Sequence, residues 1–159
     1  MPTNSTHRAI HQYRIRHSSL IIQHSSLSIP PHIGDVVCAI IERDGRFLIA
    51  RRPEGRHLER KWEFPGGKAE AGETELEALE RELHEELRIR VEVIERLTPV
   101  EYTYPERSLR LIPFRCRIID GEPEAYDHEE LRWIDIDEAG EYDFPEADAP
   151  ILAEYRTRI

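Results

Sequence analysis

The sequence predicts an α/β domain, a mixed β-sheet between two main helices. Three observations predict it. Runs such as Val36-Val-Cys-Ala-Ile-Ile41 read as buried strands. One long segment repeats Leu76, Leu79, Leu83 and Leu87 at helical spacing. A last segment places Ile151, Leu152, Tyr155 and Ile159 along one helical side.

The elements follow in order. Residues 1–32 contain no Asp or Glu, hold five of the eight histidines, and repeat His17-Ser-Ser-Leu20 as His24-Ser-Ser-Leu27. They read as a disordered or non-native N-terminal extension, and residues 33–159 as the folded domain. A targeting peptide and a His-based metal site are the competing readings of that extension. Val36–Ile41 and Arg46–Arg51 form a predicted hairpin around Asp44-Gly45, a pair suited to the positive φ of a type I′ turn. Trp62–Gly67 is a short extended piece broken by its glycines. Thr74 is the expected N-cap of the leucine helix, with Glu77 completing a capping box. Val91–Tyr104, Ser108–Ile119 and Leu131–Ile136 read as strands. Asp148 is the expected N-cap of the last helix, with Pro150 in its first turn.

Composition limits the function. With 159 residues the chain buries a core without staples. A net charge of −10 argues against a nucleic-acid polymer or an anionic membrane as partner. No apolar run approaches the roughly 20 residues of a membrane helix. A nucleotide that arrives with its own cations stays open. Cys38 and Cys116 both fall in predicted strands and belong to no ligand pattern. They read as reduced core thiols in a cytoplasmic protein, although the sequence alone leaves a disulfide open.

The chemistry concentrates in the first long helix. Glu82 and Glu86 are neighbours on its surface and Glu85 lies beside both. An acidic run by itself is equally a solvated helix face. Here, however, Gly66 and Gly67 precede it through a loop holding Gly72 and Glu73. Arg81 lies eight residues after Glu73, so a loop–helix ion pair is expected. Three acids this close repel each other, and Mg²⁺, which prefers oxygen ligands and keeps several waters, reverses that cost.

This segment resembles the Nudix box, Gly-x5-Glu-x7-Arg-Glu-U-x-Glu-Glu-x-Gly-U, where U is aliphatic. It matches through Gly67, Glu73, Arg81, Glu82, Leu83, Glu85, Glu86 and Ile89, and departs at Arg88, where the family has glycine. A left-handed Arg88 costs about 1 kcal/mol. The resemblance extends over about residues 34–157 and is greatest to MutT-type nucleoside triphosphate pyrophosphohydrolases. It implies a Nudix-type α/β/α sandwich and an Mg²⁺-dependent hydrolase, with Mn²⁺ as a substitute metal. The implied products are a nucleoside monophosphate and pyrophosphate, with oxidised nucleotides such as 8-oxo-dGTP as substrates. CTP, methylated dCTP or a nucleoside diphosphate derivative is the alternative substrate, and a non-catalytic nucleotide sensor the alternative class. A monomer or homodimer is expected.

By the same resemblance, the Gly66 carbonyl, Glu82, Glu85, Glu86 and Asp127 are the metal set. Glu82 or Glu85 is the expected base, and Glu86 the firmest ligand. Lys68 and Arg52 are candidate phosphate contacts, Lys68 counting with the catalytic group. Arg107, Phe144 and Asp148 are the candidate contacts to base or sugar. Asp148 stands where the oxidised-guanine branch has asparagine, and helix capping is its competing role.

Overall fold

In the computed structural model, residues 28–159 are described, and the extension expected over 1–32 lies almost wholly outside them. Strand β1 (His32–Arg43) turns at Asp44-Gly45 into β2 (Arg46–Arg51). The turn residues have φ of 53° and 75°, the positive values a tight hairpin needs. Short strands β3 (Trp62–Glu63) and β4 (Gly66–Lys68) lead to helix α1 (Glu75–Leu87). Then come β5 (Arg90–Arg96), β6 (Val100–Thr103), β7 (Ser108–Asp120) and β8 (Glu130–Ile134). Two 3-10 turns, Ile136–Glu141 and Glu146–Asp148, precede helix α2 (Ala149–Arg156).

All eight strands join one mixed sheet, ordered β3-β2-β1-β7-β5, with β4 on β1, β6 on β7 and β8 on β2. β1 and β7 run parallel, and the other pairings are antiparallel. β1 meets β2 only at Glu42–Arg43, whereas β4 pairs with Val36–Cys38 farther back. The departure of β2 therefore leaves an edge of β1 open, and β4 brings the glycine turn onto it.

Alternation along β1 separates two cores. Val37, Ala39 and Ile41 pack with Leu79, Leu83 and Leu87 of α1, while Cys38 and Ile40 pack with Ile151 and Tyr155 of α2. Each buried leucine of α1 contributes about 1.5–3 kcal/mol relative to an exposed one. The two thiols are free and buried, Cys38 in one core and Cys116 in the other.

The capping box forms as expected: Thr74 Oγ1 accepts from the Glu77 amide, and a Glu77 carboxylate oxygen accepts from the Thr74 amide. Five expectations need correction, the first at Ile159, which lies beyond the end of α2 at Arg156 and is exposed. Leu76 is 54% exposed, and Ala78 takes its place on the buried face. The strand expected over Val91–Tyr104 is two strands, because Leu97–Pro99 leave the ladder and β6 pairs with β7 again at Ser108–Leu111. Ile136 opens a 3-10 turn rather than ending β8. Asp148 does not cap α2: it is itself helical (φ −82°, ψ −17°), its side chain makes no cap bond, and the preceding 3-10 turn runs straight into the helix.

Arg88 ends α1 in the left-handed region (φ 58°, ψ 34°). Its guanidinium stacks 4.3 Å from the Tyr126 ring centroid and donates to the His84 carbonyl. Arg88→Gly should therefore melt close to wild type: about 1 kcal/mol of backbone strain is relieved while about 0.5–1 kcal/mol of stacking is lost. Arg88→Ala loses the stack and keeps the strain, so it should melt below both. Thermal unfolding of the three chains checks this order.

Candidate active site

The site starts at the glycine turn. Gly66 sits against β1, where a Cβ would lie 2.0 Å from the Val37 carbonyl oxygen. A Cβ on Gly67 would lie 2.3 Å from the Glu82 carboxyl carbon. The bare Gly66 thus lets the turn lie on β1, and the bare Gly67 lets Glu82 of α1 reach it. Glu86 Oε2 accepts from the Gly66 amide at 3.1 Å.

Arg81 fixes the approach loop. Its Nε donates to Glu73 Oε1 at 2.6 Å and its Nη2 to Glu73 Oε2 at 3.0 Å, the loop–helix pair expected from the spacing. It also donates to the Lys68 carbonyl at 3.0 Å and to Glu82 at 2.7 Å. The bidentate bond and the Glu70 amide hold Glu73 down to a pKa of about 2.

The three helix acids differ in environment. Glu85 is 55% exposed and lies 3.5 Å from Arg81. Glu82 is mostly covered, and that burial raises its pKa against the pull of Arg81. Glu86 is pushed up to about 9, first by burial and then by Glu63, Glu82 and Asp127, with the Gly66 amide opposing. Backbone bonds from Glu124 N to Leu87 O and from Tyr126 N to Glu86 O tie the 121–129 loop to the end of α1. They bring exposed Asp127 near Glu86. Among the described residues no three Asp, Glu, His or Cys side chains form a ready-made metal cage. The donor set nevertheless fits a hard divalent cation. It is all oxygen, and Glu86 carries an uncompensated electrostatic cost that a cation removes.

A cavity of about 300 Å³ opens beside the turn, and Gly66, Gly67 and Lys68 form one part of its wall. Arg52, Arg107 and Asp148 line it as well. Lys68 is exposed and, among the described residues, makes no ion pair. Arg52 is already engaged: its Nη1 donates to Glu63 at 2.7 Å and its Nε to the His57 carbonyl at 2.8 Å. Phe144 lies outside the lining and packs on Phe64, ring centroids 5.7 Å apart.

Asp148 is 5% exposed, and its Oδ2 has no hydrogen-bond partner. Burial and Glu63 push its pKa well up, with Arg52 opposing. That environment favours the neutral carboxyl, which offers one donor and one acceptor at the cavity wall.

Sequence reasoning missed Glu63, His57, Tyr104 and Cys38, all of which line this cavity. Glu63 had a signal, since it lies within Trp62–Gly67 beside the glycines. His57 had none: it belongs to the irregular 52–61 loop, and its Nδ1 meets Glu106 at 2.8 Å across the chain.

A family model described as NUDIX domain matches residues 36–154. The CTP pyrophosphohydrolase of Escherichia coli K12 is 39% identical over 118 residues, 74% of this chain and 87% of that protein. The 8-oxo-dGTP diphosphatase of the same organism is 32% identical over 117 residues, 74% of this chain and 91% of that protein. The solution structure of the E. coli ORF135 protein superposes with a TM-score of 0.68 at 38% identity, covering 77% of this chain and 88% of that one. Among the described residues no helix is long and apolar enough to cross a membrane.

Proposed function

Because the chain belongs to the Nudix hydrolase family, we propose that it is an Mg²⁺-dependent nucleoside triphosphate pyrophosphohydrolase. It splits its substrate with one water into a nucleoside monophosphate and pyrophosphate. The observation that supports this best is a junction. Glu82 and Glu86 press against the Gly66–Gly67 turn, and that turn is also part of the wall of the cavity holding Asp148. The acids and the cavity thus share one backbone segment, so a polyphosphate at the turn leaves its base end in the cavity.

A bound divalent cation supplies charge neutralisation and positioning for a phosphoanhydride that its own negative charge protects from water. The Gly66 carbonyl, Glu82, Glu86 and Asp127 are the residues to hold it. Arg81 keeps Glu82 in place, and the Gly66 amide orients Glu86. Glu85 faces solvent, which suits a carboxylate that accepts a proton from the attacking water. Lys68 and Arg52 meet the phosphates, while Arg107 and Asp148 meet the sugar or base.

Two substrate groups named for relatives suit the site, and adenine, with N6–H beside N7, shares the same pattern. A protonated Asp148 matches a base edge that has a donor beside an acceptor. Cytosine offers N4–H beside N3, and 8-oxoguanine offers N7–H beside O6. Unmodified guanine offers two acceptors on its O6–N7 edge. The relatives named for CTP and for 8-oxo-dGTP fall on these two chemistries. Pool cleaning of oxidised nucleotides is the leading reading, and CTP or methylated dCTP the second. The test is a panel of ordinary and damaged triphosphates with Mg²⁺, scored by product. Monophosphate plus pyrophosphate is the expected outcome; diphosphate plus phosphate, or no turnover, overturns the proposal.

A further inference from the structure

His128 is an ionisable side chain that the reaction above does not use, and it is almost completely buried, with a side-chain exposure of 3%. It lies just before β8, outside the cavity lining. Its Nε2 is 3.0 Å from Glu63 Oε1, and its Nδ1 is buried with no partner. A carboxylate accepts only, so His128 Nε2 is the donor of this pair.

Glu63 is held from two sides. Oε1 accepts a hydrogen bond from His128 Nε2, and Oε2 accepts one from Arg52 Nη1 at 2.7 Å. Arg52 and Glu63 both line the cavity. The order His128, Glu63, Arg52 therefore runs from a buried anchor to two charged groups in the wall. The backbone supports it: the Glu129 amide donates to the Arg51 carbonyl at 3.0 Å, and Arg51 pairs with Glu130 of β8.

We propose that His128 is a positioning residue for the nucleotide cavity, fixing the Glu63 carboxylate and, through it, the Arg52 guanidinium. The inference rests on the reading that this cavity receives a nucleoside triphosphate. Without the Nε2 donor, one oxygen of Glu63 loses its partner and the carboxylate rotates. Arg52 then keeps its bond to the His57 carbonyl but loses its fixed angle to the ligand.

Two variants separate positioning from packing. His128→Leu fills the space and donates nothing, while His128→Gln places an amide N–H near the Nε2 position. KM and kcat are measured below both melting temperatures, on the triphosphate that wild type hydrolyses fastest. His128→Leu should raise KM about tenfold and leave kcat within about twofold, the signature of lost ground-state binding. His128→Gln should recover KM to within about threefold of wild type. Because Asp127 adjoins His128, an unchanged kcat also shows that the acidic side is undisturbed. Equal KM in the two variants, or a loss confined to kcat, overturns the inference and leaves the enzyme reading intact. So does a side-chain ¹⁵N spectrum of wild type with no proton on Nε2. A wild-type chain that hydrolyses no triphosphate overturns both.

Discussion

Glu86→Gln is expected to lose turnover by on the order of 10³-fold while melting at a higher temperature than wild type in metal-free buffer. The two effects share one cause. Glu86 is surrounded by Glu63, Glu82 and Asp127 and is largely cut off from water, which puts its folded pKa near 9 against an ordinary value of 4.5. An acid with a raised folded pKa holds its proton in the native state where the unfolded chain has lost it. Native stability is therefore full below about pH 4.5 and declines as pH rises toward 9. Glutamine has no ionisation to suppress, and its amide oxygen still accepts from Gly66. The melting gap between variant and wild type should widen from pH 5 to pH 9. A divalent cation should narrow it, stabilising wild type by mass action and the variant little. Turnover within tenfold of wild type would remove Glu86 from the metal set. A gap independent of pH would show that its carboxyl is not held protonated.

Much of the site was legible because its determinants are local. The Thr74–Glu77 capping box, the Asp44-Gly45 hairpin and the Glu73–Arg81 pair each join residues at most eight apart, and spacing alone fixes their geometry. The acids of α1 were legible for the same reason. What they face was not, because β4 reaches α1 through pairing with Val36–Cys38, some 30 residues earlier in the chain. Glu63, His57 and His128 come together through such long-range pairing, and only Glu63, beside the glycines of Trp62–Gly67, carries a local signal. Leu76 fits the helical repeat, yet it falls beyond the edge of the buried stripe, where Ala78 packs instead. The capping role expected of Asp148 was the instructive miss. Asp-Ala-Pro is a good capping sequence, but here the 3-10 turn enters α2 without a break, so no free amides await a cap and the carboxyl turns inward.

That inward carboxyl makes base selection the second large effect. Asp148→Asn should change the ranking of 8-oxo-dGTP against CTP by about 10–100-fold in kcat/KM, roughly 1–3 kcal/mol. The wild-type acid has one donor and one acceptor that exchange places by moving a proton. Asparagine fixes a two-proton donor on one atom and an acceptor on the other. The two bases offer donor and acceptor with different spacing, so a fixed amide cannot serve both equally. The variant should also lose a pH dependence. Burial and Glu63 favour the protonated carboxyl in the wild type, and its donor is lost as pH rises through the raised folded pKa. Wild-type KM should climb over that range, and the asparagine variant should stay flat. Stability follows the same sign: the raised pKa favours the native state below about pH 4 and costs it at higher pH, so the variant should gain melting temperature on alkalinisation relative to wild type. Steady-state kinetics on both triphosphates across pH, with melts alongside, checks each part. An equal loss on both bases would place the carboxyl on sugar or phosphate, because the capping role that once competed for it is absent from the structure.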